Sequence, residues 1–341
     1  MTVLSFLALP HTRLRPHVHI SSGLREIDWT GVILHTSILV LFDAACIFSG
    51  ATLPWSSAGV IALWVLTAAM AILFAVQQRF SVFTEPARHI LPIAVLSTRT
   101  GFLVMLYTCW AVAGYAIALY YLPLFYAFTR GDDSLETAVH VLPLIGVYIA
   151  GAIGMGMILP VISRHAPLYL VGGALITAGA GAMQSVNETT SPSQTMGISA
   201  VLGLGVGLTW QLGASVLALA LPPAIRMGSG ITMTVTLDTG TTVALAIAGC
   251  IHQNIGFNLL SEALRGENLF IAQIREALAG VGSPVLATLS PQALQAAVAA
   301  VTSATIRIFY IPTAAGVLMI VCSLVMKLEA LDCKKPKKTG L

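Results

Sequence analysis

The chain has 341 residues, 57% of them hydrophobic and only 9% charged, with a net charge of +3 and a mean hydropathy of +0.88. A soluble domain carries about a quarter charged residues, so one soluble core cannot hide this much apolar sequence, and an all-α, polytopic membrane protein is expected. The basic residues form no patch with aromatics, which speaks against nucleic acid as a partner. The five cysteines (46, 109, 250, 322 and 333) lack metal-ligand spacing and read as small hydrophobes, with no cofactor or metal indicated.

Residues 2–10 are apolar but too short to span, and they lack the basic start and small-residue cleavage site of a signal peptide. They read as the last turns of a helix whose beginning is absent, followed by Arg13, Arg15 and Arg25. The first complete span covers 31–48 and contains His35 and Asp43. A Gly/Pro/Ser turn leads to a second span at 58–76, and the polar-to-mixed loop 77–100 carries Arg79, Arg88 and Arg99. The third span, 101–128, is aromatic, with Tyr107, Trp110, Tyr115, Tyr120 and Tyr121, and has Pro123 near its end. Beyond Asp132 and Asp133 come spans at 138–162, 168–186 and 197–221, the last ended by Pro222 and Pro223. The seventh is 230–251. Residues 254–307 are amphipathic and read as short surface helices, with Pro291 at a helix start. A final span, 308–326, precedes a Lys-rich tail. The expected units are a helix remnant and linker (1–30), a central helix pair with its loop (31–100), a six-span unit (101–327) and the tail (328–341).

Placing the first polar segment in the cytosol puts thirteen basic residues on that side and one, Arg130, in the short loops opposite. The positive-inside rule therefore predicts cytosolic termini. It also puts the sequon Asn187-Glu188-Thr189 on the outer side, making Asn187 a glycosylation candidate.

The seventh span, GITMTVTLDTGTTVALAIAGCI, holds no Lys or Arg and one carboxylate, Asp238. The acid lies about 12 Å from the cytosolic end, near the midplane. A carboxylate there is costly and by default faces a partner or a water-filled path. Thr234, Thr241 and Thr242 share its face at helical spacing. Asp43 sits nearer a span end, where interfacial water is within reach; His35 and His140 read as packing or interface residues. Trp210 and Gln211 in the sixth span, and Tyr115 in the third, suit an amphipathic organic ligand, with lipid contact or helix bonding as the alternative. Gly203 and Gly207, with Gly151, Gly154 and Gly156, read as close helix packing, because no strand–turn–helix unit surrounds them as a nucleotide fingerprint requires.

The runs IDWTG (27–31), LPW (53–55), YYLPLFYAFTRG (120–131), VLPLIG (141–146) and GLGVGL (203–208), and the stretch from Gly240 to Asn254, resemble the major facilitator superfamily. Within it, they are similar to the fourteen-helix drug:proton antiporters, collinearly over roughly residues 1–330. Two positions depart from that pattern: Ala127 stands where Gln is usual, and Asp238 precedes a single Gly240 where Arg, Gln or Ser precedes a Gly pair. The resemblance implies two central helices followed by a complete C-terminal six-helix half, with the N-terminal half missing. It further implies proton-coupled efflux of small amphipathic drugs or toxins, with membrane lipid around the chain, at the plasma membrane or, alternatively, the vacuolar membrane. Two other readings stay open at this stage. One is a non-transporting remnant or incomplete gene model, which an in-frame six-helix half upstream of Met1 would rule out. The other is a membrane-embedded enzyme, which requires Asp and His side chains gathered at one depth.

Overall fold

The computed structural model describes residues 27–326, except 51, 86, 87, 163, 268 and 281. The stretch 2–10, the three arginines after it and the Lys-rich tail lie outside the described residues. Among the described residues, eight helical stretches are long and apolar enough to cross a membrane.

The first span, α1 (Trp29–Phe48), starts where Asp28 caps it: the Gly31 N–H donates to Asp28 Oδ1 at 2.9 Å. The same buried carboxylate accepts from Gln77 Nε2 and Gln78 Nε2, each at 3.0 Å, at the end of α2 (Ala58–Phe80). A buried carboxylate is tolerable because donors surround it. At the other end of this hairpin the turn needs a positive φ at Gly50 (+83°), Gly50 N–H donates to Leu53 O at 2.8 Å, and Trp64 Nε1 donates to Ser49 Oγ at 3.2 Å. The loop 77–100 proves partly ordered, since α2 runs on to Phe80 and a short helix, α3 (Ile93–Leu96), forms within it.

At the centre stands α4 (Arg99–Arg130), capped by Thr98, whose Oγ1 accepts the Gly101 N–H at 3.0 Å, and closed by Gly131 at φ +71°. Of its apolar window 61% is buried, against 11% for α2, so the bundle is assembled around α4. Tyr107, Phe125 and Tyr126 are fully buried along it, and Tyr107 Oη donates to Tyr169 O at 2.7 Å.

Lipid gives helices no hydrophobic reason to associate, so close backbone approach has to hold α5 (Ser134–Ile162), α6 (His165–Met183) and α7 (Pro192–Trp210) together. Cβ atoms added at Gly203 and Gly207 of α7 would collide with the backbone carbonyls of Leu144 and Tyr148 on α5, and one at Gly205 would lie 2.8 Å from Ile176 N on α6. The glycine-dense stretch is a packing seam.

Four features differ from the sequence reading. The sixth span is two helices, because α7 ends at Trp210 and α8 (Leu212–Ala220) begins beyond Gln211. The seventh belongs to a 41-residue helix, α9 (Pro223–Ala263), about 60 Å long. Its polar end continues past the apolar stretch because Leu260 and Leu264 find a core to bury in. Residues 254–307 are accordingly not all surface helices. After a 3-10 turn at Arg265–Glu267 come α10 (Ile271–Ala279) and α11 (Pro284–Ala287), while α12 (Pro291–Arg307) packs inward against α4 and α9. Pro291 does open that helix, with Ser290 as its cap. α12 leads directly into α13 (Tyr310–Val325), so the last membrane stretch starts well before 308.

The bundle thus has two distinct ends. The capped end carries α10 and α11 over a small core of Phe128, Leu260, Ile274, Leu278, Leu286 and Val301. The basic end carries Arg79, Arg99, Arg164 and Arg226 at helix termini, with Arg99 Nη2 donating to Val325 O at 2.7 Å.

Candidate functional site

Asp238 lies mid-way along α9 on a face that packs against neither α1 nor α4. The α4-facing side carries Gly240, where an added Cβ would meet Val112 and Cys109, and the α1-facing side carries Thr239, whose hydroxyl lies 3.2 Å from His35 Nε2. Asp238 and Thr234 are exposed. Among the described residues, no side chain donates a hydrogen bond to the carboxylate, although His35 is within electrostatic range of it. The threonines on its face use their protons locally: Thr234 Oγ1 donates to Gly230 O at 3.2 Å, Thr241 Oγ1 to Leu237 O at 2.8 Å and Thr242 Oγ1 to Asp238 O at 2.9 Å. Their hydroxyl lone pairs stay available, so the stripe can accept a hydrogen bond from a protonated acid or a ligand.

A second constellation forms at the break between α7 and α8. The Trp210 ring lies 5.0 Å from Tyr115 on α4 and 5.6 Å from Tyr148 on α5, and the two tyrosines are 5.1 Å apart. All three are half-buried, so a single cluster joins three helices and still presents ring surface. Tyr148 was not among the sequence candidates. Its position one residue after Val147 in an apolar run gives no period-based signal; only its seat against Gly207 brings it to Trp210. The break has a local cause. Thr209 Oγ1 bonds back to Gly205 O (3.1 Å) and Val206 O (3.0 Å), and Ser215 Oγ to Gln211 O (3.0 Å), a pattern that bends helices. Gln211 is left exposed at the bend.

The remaining candidates are separate from these two. Asp43 is half-buried, eight residues along α1 from His35, which puts it about 12 Å along the axis from the Asp238 level. His140 sits at the capped end, Nδ1 2.6 Å from Asp132 Oδ2 and its ring stacked on Tyr126 at 4.7 Å. Asp43, Asp238 and the His140–Asp132 pair thus lie at separate levels of the bundle, and no group of three or more His, Cys, Asp or Glu could hold a metal among the described residues. Asn187 is exposed in the turn between α6 and α7, its Oδ1 accepting the Thr189 hydroxyl at 2.7 Å and the Thr189 N–H at 3.0 Å.

Comparison with known proteins places these features in context. The pattern described as fungal trichothecene efflux pump (TRI12) matches residues 11–221, more than half of the chain. Among curated proteins, an efflux pump (alnA) of Emericella nidulans is 27% identical over 92% of this chain and 56% of its own length. An efflux pump (patC) of Aspergillus clavatus is 30% identical over 88% and 54%. A phomenoic acid biosynthesis cluster MFS-type transporter of Leptosphaeria maculans is 28% identical over 94% and 53%. The chain spans about half the length of these relatives. Asp238 and the capped segment fall beyond the family pattern but within the length these relatives share.

Proposed function

Because the chain belongs to the fungal trichothecene efflux pump (TRI12) family, we propose that it forms one wall of a proton-coupled export path for small amphipathic organic compounds. The observation that carries this reading is the Tyr115–Tyr148–Trp210 cluster at a helix break. Half-buried rings, with the exposed Gln211 following Trp210 and its amide making no hydrogen bond among the described residues, offer an apolar ligand contact area with one directional polar group. A discontinuous helix is where transporters of this kind bind cargo and rearrange. The family's name supports a small organic toxin as cargo. Asp238, held in a span with a threonine stripe and with no side-chain hydrogen-bond donor among the described residues, is suited to exchange a proton or meet a cationic substrate.

Alternating access needs two bundles that rock about a shared site. The described helices supply one bundle and the α1–α2 pair, so a second bundle, covalently attached or not, completes the path. Export by this chain joined to the N-terminal bundle of a family member tests the reading. Trp210→Ala and Tyr148→Ala should each reduce kcat/KM for an aromatic cargo about tenfold, a loss of about 1.4 kcal/mol of transition-state binding. Undiminished export by both variants would remove the cluster from the path.

A further inference from the structure

We propose that the cavity beneath α10 at the capped end is a binding site for a planar aromatic carboxylate. As a subsite on an export path it rests on the efflux reading; as a binding site it does not. The cavity holds about 250 Å³ and is lined by Tyr120 and Tyr121 of α4, His252, Gln253 and Phe257 of α9, and Arg275 of α10. That volume suits a compound of one or two fused rings, smaller than the drug-sized ligands of ordinary pockets.

The walls are aromatic and partly fixed. Tyr120 and Tyr121 lie 5.0 Å apart, Tyr121 is 5.6 Å from the His252 ring, and His252 Nε2 is 3.3 Å from Thr305 Oγ1, which holds the imidazole in place. The Arg275 guanidinium lies 5.6 Å from the Phe257 ring centre. Among the described residues it has neither a carboxylate within ion-pair distance nor a hydrogen-bond acceptor. A planar, always-charged fork with unused donors matches a carboxylate in two-point geometry, and the rings beside it match the flat body of an aromatic acid. The Gln253 side chain makes no hydrogen bond among the described residues either, and adds a neutral donor. A cation is disfavoured by Arg275, and a bare inorganic anion would leave the ring surface unused. The occupant is thus specified at both ends.

The test is equilibrium dialysis of the purified 341-residue chain in detergent, with protein-free micelles as blank, using radiolabelled 2-naphthoate and its neutral analogue 2-naphthamide. Naphthoate should bind saturably and at least tenfold more tightly than the amide. Arg275→Gln should weaken naphthoate at least tenfold and abolish that preference, while Arg275→Lys keeps part of it. Tyr120→Ala, a change at a side chain that is 61% exposed, should weaken acid and amide alike. Glu276→Gln on the same helix should change neither. A shift in the unfolding temperature checks folding, and Ile274 and Leu278 anchor α10 independently of Arg275. Equal naphthoate binding by wild type and a folded Arg275→Gln, or equal binding of acid and amide by the wild type, would overturn the site. Failure of export in the two-bundle protein with naphthoate binding intact would instead overturn the efflux reading alone.

Discussion

Asp28 and Asp238 show how differently two carboxylates on membrane helices can be used. Asp28 is buried and accepts three hydrogen bonds that join the start of α1 to the end of α2. Asp28→Ala removes a cap and takes one acceptor from each of two amides, which keep Val82 O and Gln77 Oε1, so it should cost about 1–3 kcal/mol, read as a lowered unfolding temperature in detergent, with Asp28→Asn losing less. An unchanged unfolding temperature for the alanine variant would mean that the latch does not hold the hairpin. Asp238 is exposed and accepts no side-chain hydrogen bond among the described residues. Asp238→Asn should therefore leave folding intact while altering the pH dependence of export. Lower expression of Asp238→Leu alone, with the pH dependence of export by Asp238→Asn unaltered, would make Asp238 a packing residue. The sequence made Asp238 conspicuous because an acid in an apolar run is visible without a fold. Asp28 was legible only as part of IDWTG, since its amide partners lie 49 and 50 residues away. Asn254 is the same case, its Nδ2 donating to Ser49 O at 3.0 Å across two helices.

Helices of the bundle were legible where apolar length sets them, and less so where a contact sets them. The α7–α8 break follows from hydroxyls bonding back to their own helix, and the extension of α9 follows from a core formed by residues far ahead in the chain. The GxxxG seam was readable because only close packing explains glycines at that spacing in lipid. Gly207→Val should disrupt the α5–α7 contact, costing about 1–3 kcal/mol, whereas Gly154→Ala, with nothing within 4 Å of the added Cβ, should be neutral or slightly stabilising. Equal effects in a thermal-unfolding assay would contradict the seam. In the capped core the solvent drives packing directly. Leu260→Ala, at a fully buried position, should cost about 2–5 kcal/mol, seen as faster proteolysis within 264–307.

For the molecule as a whole, the short connections carry Arg79, Arg99, Arg164 and Arg226 at one end and only Arg130 at the other, which gives a proposed orientation with the first of these ends in the cytosol. A cysteine at 187 should then react with an impermeant reagent from outside intact cells, and reaction only after permeabilisation would reverse the topology. Half-buried aromatic rings on α4 and α7 and the exposed Asp238 on α9 point to a path completed by a second bundle, so the 341-residue chain by itself should not transport. The most direct measurement is uptake of a radiolabelled amphipathic compound into inverted vesicles under an imposed proton gradient, with this chain joined to a family N-terminal bundle. The account predicts gradient-driven uptake by the wild type and uptake insensitive to the gradient in Asp238→Asn. Gradient dependence that persists undiminished in Asp238→Asn, or no uptake by the completed protein, would contradict it.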